Sequence, residues 1–344
     1  MITLLAELAR RSNDYIPSIR RFETMTGLGW HDPTPPWHSG AGDRPVSVVI
    51  PACEVGYSLA TVLDALDAQH HRDRFEVIVV DDASTDDTTG IAAHHPVVTR
   101  LVRLPRRRGA GTARNLGTHL ASGDTVLYLD ADMVLPAHVV TDIAARATDT
   151  MAFVGFRHNL PHTLHRGGPG IPAERPNLRA DHRVVWRPPA GVPLLYTGIT
   201  LPEPLDGRPL EHTRDFLDLG YGVRYYDWDL PRMVVTALLA VPRCAVLEVG
   251  GFEAQFDRIG WGTEDTYLGA CLIGAGLQIV PLRQAVGYHL DPPDAGEQWR
   301  RKLASWPATV AHYRALLHQA GPASCSRAFT TAMTGLLDSC EVLR

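Results

Sequence analysis

Four places along the chain combine acidic side chains with a turn: Glu54 in Pro51-Ala52-Cys53-Glu54, Asp82 in the run Asp81-Asp82-Ala83-Ser84-Thr85-Asp86, the Asp130-Ala131-Asp132 triplet, and the adjacent Glu264-Asp265. Carboxylates gathered at one place repel, so they call for a cation or a cationic partner at neutral pH. Asp130 and Asp132 follow the apolar run Thr125-Val126-Leu127-Tyr128-Leu129. At alternating positions two carboxylates can point the same way, which suits a hard divalent ion that also takes phosphate oxygens and water. A lone Asp-x-Asp is more often a solvated turn. Here the preceding strand and the companion clusters favour a site. Glu264 and Asp265 open a helical stretch whose N-terminal dipole favours their charged form, and Trp261 just before them offers a flat apolar platform.

The elements that must position these groups alternate. Val46–Ile50 reads as a strand, and Leu59, Val62, Leu63 and Leu66 recur at helical spacing. Further strands are predicted at Phe75–Val80, Val97–Leu104 and Thr125–Leu129, with helices at Ser84–His94 and Gly109–Ala121. This βαβαβαβ order predicts an α/β fold with parallel strands, right-handed crossovers and ligands at the carboxyl strand ends. A helix is expected over Thr3–Arg21, then a Pro/Gly-rich linker from His31 to Gly42. Arg157–Arg224 has no periodicity and reads as irregular structure. Regular patterns return at Met233–Val241, at Asp265–Gly274 (helix) and at Leu277–Pro281 (strand). Trp299, Leu303, Trp306, Val310, Tyr313 and Leu317 then form a helical stripe that Pro307 should kink or restart. The expected organisation is 1–45 (helix and linker), 46–156 (alternating half), 157–295 (second half) and 296–344 (helical extension).

Val46-Ser-Val-Val-Ile-Pro51, Val79-Val-Asp-Asp-Ala-Ser-Thr-Asp86, Gly109-Ala-Gly-Thr-Ala-Arg-Asn-Leu-Gly117 and Leu129-Asp-Ala-Asp132, in that order and spacing, resemble the nucleotide-binding half of a GT-A fold glycosyltransferase of family 2. The resemblance covers roughly 46–156. It implies a Rossmann-like, mostly parallel sheet flanked by helices, with an irregular acceptor-side region. It also implies that Pro51, Ala52 and Glu54 flank the base and ribose and that Asp82 accepts hydrogen bonds from them. Arg114 would approach the base or diphosphate, Asp130 and Ala131 would contact the donor, and Asp130 and Asp132 would hold a metal on the diphosphate. Gly250-Gly-Phe-Glu253 followed by Gly260-Trp-Gly-Thr-Glu-Asp265 is similar to the Trp-Gly-x-Glu-Asp motif of galactosyltransferases and of polypeptide N-acetylgalactosaminyltransferase-like and chondroitin-synthase-like enzymes. That likeness implies Asp265 as the base for an acceptor hydroxyl, Glu264 as acceptor-orienting, and Trp261 and Gly262 at the acceptor, with the two carboxylate roles interchangeable. It also implies His289, in Val286-Gly-Tyr-His-Leu290, as a further metal ligand, whose imidazole suits manganese better than magnesium. Together the two resemblances imply nucleotide-sugar binding for 46–156 and acceptor binding and catalysis for 157–295.

The implied activity is metal-dependent, hexosyltransferase-like transfer from a nucleotide diphosphate sugar to an acceptor hydroxyl, with UDP favoured over GDP and Mn²⁺ over Mg²⁺. Single displacement would invert the anomeric centre; a retaining outcome stays open. A nucleotidyltransferase would carry a Gly- and Arg-rich loop after strand one, where this chain has Pro51-Ala-Cys-Glu-Val-Gly56. A non-catalytic nucleotide-sugar-binding homologue would usually have lost carboxylates that are present here. Gly109–Arg114 begins like a dinucleotide fingerprint but ends in Arg, and Arg106-Arg107-Arg108 reads as a solvated turn.

The 344 residues carry 33 basic and 38 acidic side chains, a net charge of −5, which gives no field for nucleic acid. No stretch nears the ~20 clean apolar residues of a membrane span. Five widely spaced cysteines argue against a disulfide framework and for the cytoplasm. The expected acceptor is a soluble glycoside, natural product or peptide. The N-terminal helix and the C-terminal stripe offer faces for pairing chains into a homo-oligomer.

Overall fold

The computed structural model describes residues 3–35, 44–160, 162, 195–196, 229–321 and 324–344. Most of the stretch expected to be irregular, and the linker from residue 36 onward, lie outside the described residues.

The chain opens with α1 (Leu5–Leu8) and α2 (Ile16–Thr26), two helices where the sequence suggests one. The break is made by Asn13, whose amide exchanges two 2.8 Å bonds with the backbone of Ile279. Pro17, in the first turn of α2, then suits a helix start.

The alternating half follows: β1 (Val46–Ala52), α3 (Leu59–Asp67), β2 (Phe75–Asp81), α4 (Thr88–His94), β3 (Arg100–Arg103), α5 (Ala110–Leu120) and β4 (Thr125–Leu129). These strands lie in the order β3-β2-β1-β4, all parallel, with Ile50 opposite Val79 and Val48 opposite Leu127. Helix α4 is shorter than expected because Asp86 accepts from the Thr88 amide, and the residues before it form a loop.

Next come β5 (Met133–Val134), α6 (Val139–Arg146), β6 (Met151–Leu160), β7 (Leu195–Tyr196), β8 (Leu238–Pro242), α7 (Arg243–Val249), α8 (Ala254–Ile259), α9 (Glu264–Gly274), β9 (Gln278–Leu290), α10 (Ala295–Leu317), α11 (Ser326–Leu337) and β10 (Glu341–Val342). The sheet continues through them as β4-β8-β6-β9-β5, while β10 closes the far edge on β3. The expected boundary at 156/157 thus falls inside β6, and one mixed α/β sheet flanked by helices runs through both halves.

Strand β9 is far longer than the expected Leu277–Pro281 because β6 pairs it along its length and β5 takes its end, setting Met133 opposite His289. Helix α10 runs unbroken through Pro307. Both Pro307 and Leu303, whose carbonyl the ring cannot serve, face solvent, so the missing bond costs little.

Successive strand residues feed opposite faces. Val49, Val126 and Tyr128 pack under α5 and α9, whereas Val48, Ile50, Leu127 and Leu129 pack under α3 and α6. The terminal segments are spent inside the chain: Leu5 donates to Gln319 O, and Val310, Tyr313 and Leu317 of the stripe are buried with Leu5 in that first core. Trp299 and Leu303 stay outside it, about 40% exposed. Among the described residues no helix is long and apolar enough to cross a membrane.

Candidate active site

The loops after β1 and β2 knit together through their acidic side chains. Glu54, in the left-handed region at φ 55°, accepts from the Thr85 amide and hydroxyl (both 2.9 Å) and from Arg107 Nη2 (2.6 Å), and these bonds hold its carboxyl below the usual range. Asp82 accepts from the amides of Arg108 (2.6 Å) and Gly109 (2.8 Å), and burial pushes its carboxyl up. Ala52 O takes the Asp82 amide. Pro51, Ala52, Glu54 and Asp82 therefore shape one edge of the sheet and are not on the wall of the cavity described below. Of the three arginines read as solvated, Arg107 is fixed on Glu54.

Helix α5 shows why its sequence block is glycine-rich. Asp257, from α8, accepts from the amides of Gly111 (3.0 Å) and Thr112 (2.8 Å) and from the Thr112 hydroxyl (2.8 Å), capping the helix from outside. A Cβ at Gly109, where φ is 100°, would collide with that carboxylate, and one at Gly117 would collide with Val49 of β1. Asn115 closes a second lock, exchanging two 2.8 Å bonds with the backbone of Phe252. Nothing local in the sequence announces Asp257 or Asn115 as joints.

Arg114, on the inner face of α5, is 5% exposed. Its Nη2 donates to Asp130 Oδ1 at 2.9 Å, and its Nη1 lies 3.8 Å from Glu264 Oε1. Burial works against its charge, but Asp130, Glu264 and Asp265 together raise its pKa.

Asp132 faces elsewhere. Its Oδ2 takes the Tyr57 hydroxyl (3.2 Å) and lies 3.4 Å from His289 Nε2, while its Oδ1 is sealed from solvent without a hydrogen-bond partner. His289 Nδ1 is 3.3 Å from Asp291. A carboxylate thus stands beside each ring nitrogen, an arrangement that calls for a cation, and Asp132 with His289 could hold a divalent one. The orphaned Oδ1 fits the same requirement. Among the described residues no three acidic, histidine or cysteine side chains form a ready cage, so such an ion would complete its shell with ligand oxygens and water. Asp130 is turned to Arg114 instead, because residues 130–132 form a turn in which Met133 N bonds Asp130 O, rather than an extended strand. Ala131, buried beside them, gives its carbonyl to Ser58.

A cavity of about 310 Å³ opens here, and residues distant in sequence meet on its wall: Arg114, Asp130, His289, Trp261, Gly262, Glu264 and Asp265. Trp261 is strapped to α10, its amide donating to Ser305 Oγ at 3.0 Å. Its ring lies 5.7 Å from Trp299 and 5.9 Å from Trp306. Gly262 has φ 107°, and any Cβ there would press on the Trp306 ring.

Glu264 Oε2 accepts from the Gly262 amide (3.1 Å), and Asp265 Oδ1 from Thr266 N (2.8 Å). Burial works against the charge that the helix dipole favours: it raises both carboxyls, and with Glu264 adjacent Asp265 is pushed up to about 8. Arg157, Asn159, Arg232, Gln298, Trp299, Lys302 and Trp306 also line the cavity. Trp299 and Trp306 were legible only as a helical stripe, and Arg157 and Arg232 carry no sequence signal.

A continuous α/β sheet thus gathers acidic and cationic groups around a cavity at its carboxyl edge. Residues 47–181 match the family described as glycosyl transferase family 2. Over 260 residues it is 28% identical to validoxylamine A glucosyltransferase of Streptomyces hygroscopicus subsp. jinggangensis, covering 70% of this chain and 54% of that protein. It is 38% identical over 95 residues to the amylovoran biosynthesis glycosyltransferase AmsB of Erwinia amylovora, covering 26% of this chain and 31% of that protein. The chain thus spans about half or less of these curated relatives. Among solved structures, a mannosyltransferase from Pyrobaculum calidifontis in complex with GDP-Man and Mn²⁺ aligns with TM-score 0.47 and 20% identity over 98% of this chain and 86% of that one.

Proposed function

We propose that the protein is a glycosyltransferase that takes a sugar from a nucleotide diphosphate sugar, UDP favoured, and passes it to an acceptor hydroxyl. The observation that carries this reading is the shared wall: Arg114 and Asp130 of the family 2 domain line the same cavity as Trp261, Glu264 and Asp265. In this reading residues 46–156 hold the donor and 157–295 the acceptor, while α10 of the C-terminal segment supplies part of the acceptor wall.

Pro51, Ala52, Glu54 and Asp82 frame the nucleoside edge, and Trp261 presents a flat face to the acceptor ring. Glu264, anchored by the Gly262 amide and drawn to Arg114, orients the acceptor. Asp265, with its carboxyl near 8, takes the hydroxyl proton as the acceptor oxygen bonds to the anomeric carbon. The bond from that carbon to the phosphate oxygen breaks in the same displacement, and the nucleoside diphosphate leaves with the electron pair, inverting the centre. Asp132 and His289 would hold a divalent ion, Mn²⁺ favoured, with Asp130 and Ala131 beside them. Such an ion supplies charge stabilisation to the leaving diphosphate. Five free thiols support a reducing, cytoplasmic setting.

The test is a panel of UDP- and GDP-sugars with Mn²⁺, read by release of the nucleoside diphosphate and by thermal shift. Stabilisation by one nucleotide family, with release above background once an acceptor glycoside is added, supports the reading. Failure of every nucleotide sugar to bind would remove it.

A further inference from the structure

The chain has 33 basic side chains besides histidine, and Lys302 is its single lysine. That residue lines the cavity with Asp130, His289, Glu264 and Asp265. Its neighbours on the same helix show that arginine serves for solvent ion pairs, as Arg301 reaches Asp294 and Glu297 at 3.2 Å. Lys302 does something else. Its ammonium stands 5.4 Å from the centre of the Trp261 ring and makes no ion pair with a carboxylate among the described residues. Arg114, by contrast, is committed to Asp130 and Glu264. The half-buried ammonium therefore brings positive charge to the wall that the protein does not neutralise by direct contact.

We propose that Lys302 binds the diphosphate of the nucleotide donor, reaching it from α10 on the Trp261 side of the cavity. The inference rests on the donor reading given above and adds a residue to it. A compact ammonium can sit against the indole face and still turn its three donors to phosphate oxygens, whereas a planar guanidinium would be drawn into stacking on the ring. As the sugar–phosphate bond breaks, negative charge grows on the leaving nucleoside diphosphate, and a fixed cation beside it gains in effect. Helix α10 is then part of the donor site as well as the acceptor wall.

A single lysine makes the test direct. Reductive methylation with carbon-13 formaldehyde keeps the charge and labels two amines, the N-terminus and Lys302; Lys302→Arg removes the lysine signal and assigns it. Titrating the labelled protein with UDP and with GDP, each with Mg²⁺, is expected to shift the Lys302 signal saturably. Replacing Mg²⁺ by Mn²⁺ should broaden it. Lys302→Met, with circular dichroism unchanged, should weaken nucleotide binding in calorimetry on the order of tenfold or more, the scale for one hydrogen bond to a charged group. If UDP or GDP binds while the signal stays put and the Met variant binds equally well, the Lys302 assignment is overturned and the donor reading stands. If neither nucleotide binds the unmodified chain, the donor reading falls and takes this inference with it. Should the Met variant not fold, the labelled wild-type spectrum decides.

Discussion

Arg114 Nη2 stands 2.9 Å from Asp130 Oδ1, joining the middle of α5 to the turn after β4. The same guanidinium faces Glu264 at 3.8 Å, so one cation serves carboxylates from both halves of the chain. Replacing Arg114 with Met strips both of their counter-charge in a partly buried wall. The expected loss is ~3–5 kcal/mol of folding stability, the range for breaking a buried pair from one side. Urea unfolding measures it, and an unchanged midpoint would show that the contact carries no structural weight.

Asp265→Asn is expected to lower turnover by about 10²–10⁴-fold, the range for losing a positioned base, while nucleotide affinity stays within a few fold. In the wild type kcat/KM should rise with pH through a limb near 8. Stability moves the other way: with the folded carboxyl raised from 3.8 to about 8, its contribution is present below the unfolded value and is lost as pH rises through about 8. Thermal melts of the two proteins should therefore diverge above pH 5, with the Asn variant the more stable at pH 8.

Asp132 Oδ1 is buried without a partner beside a histidine flanked by acids. Electron paramagnetic resonance of Mn²⁺ in the presence of UDP should show a bound fraction in the wild type and none in Asp132→Asn. His289→Ala is expected to weaken it by at least tenfold. Chelation should remove the thermal stabilisation that UDP gives. Equal Mn²⁺ binding in all three proteins would place the ion elsewhere.

Trp299 is about 40% exposed, so truncating it costs the fold little. Trp299→Ala should raise KM for a glycoside acceptor about tenfold, as expected for losing one ring face, and leave donor affinity alone. A change confined to the donor would assign this corner of the cavity differently.

A methyl group at residue 117 would drive into Val49 where α5 crosses β1. Gly117→Ala is expected to destabilise by ~1–3 kcal/mol despite alanine's better helix propensity, because the crossing has no spare volume. Chemical denaturation reads the sign.

The half spanning residues 46–156 was legible because parallel strands buried on both faces write nearly continuous apolar runs, as Val46–Ile50 and Thr125–Leu129 do. β6 was missed because it begins apolar and ends in Arg157, His158 and Asn159, where it reaches the cavity. β9 hides behind Gln284, a buried amide bonded to Trp30 O that interrupts the apolar pattern. Glu264, Asp265 and Asp130 could be read as site residues because they sit in compact blocks. The side chain of Asp257 caps a helix 145 residues away in sequence, and no local pattern encodes that. Pocket arginines from unpatterned stretches were equally silent.

The outside cap on α5 also limits how this architecture can be recombined. A chimera that joins the first four strands to a foreign downstream segment would expose the amides of Gly111 and Thr112 and leave Asn115 without its Phe252 partner. Any workable splice must carry Phe252 and Asp257 along with residues 46–156, so the natural cut for segment exchange lies beyond α8.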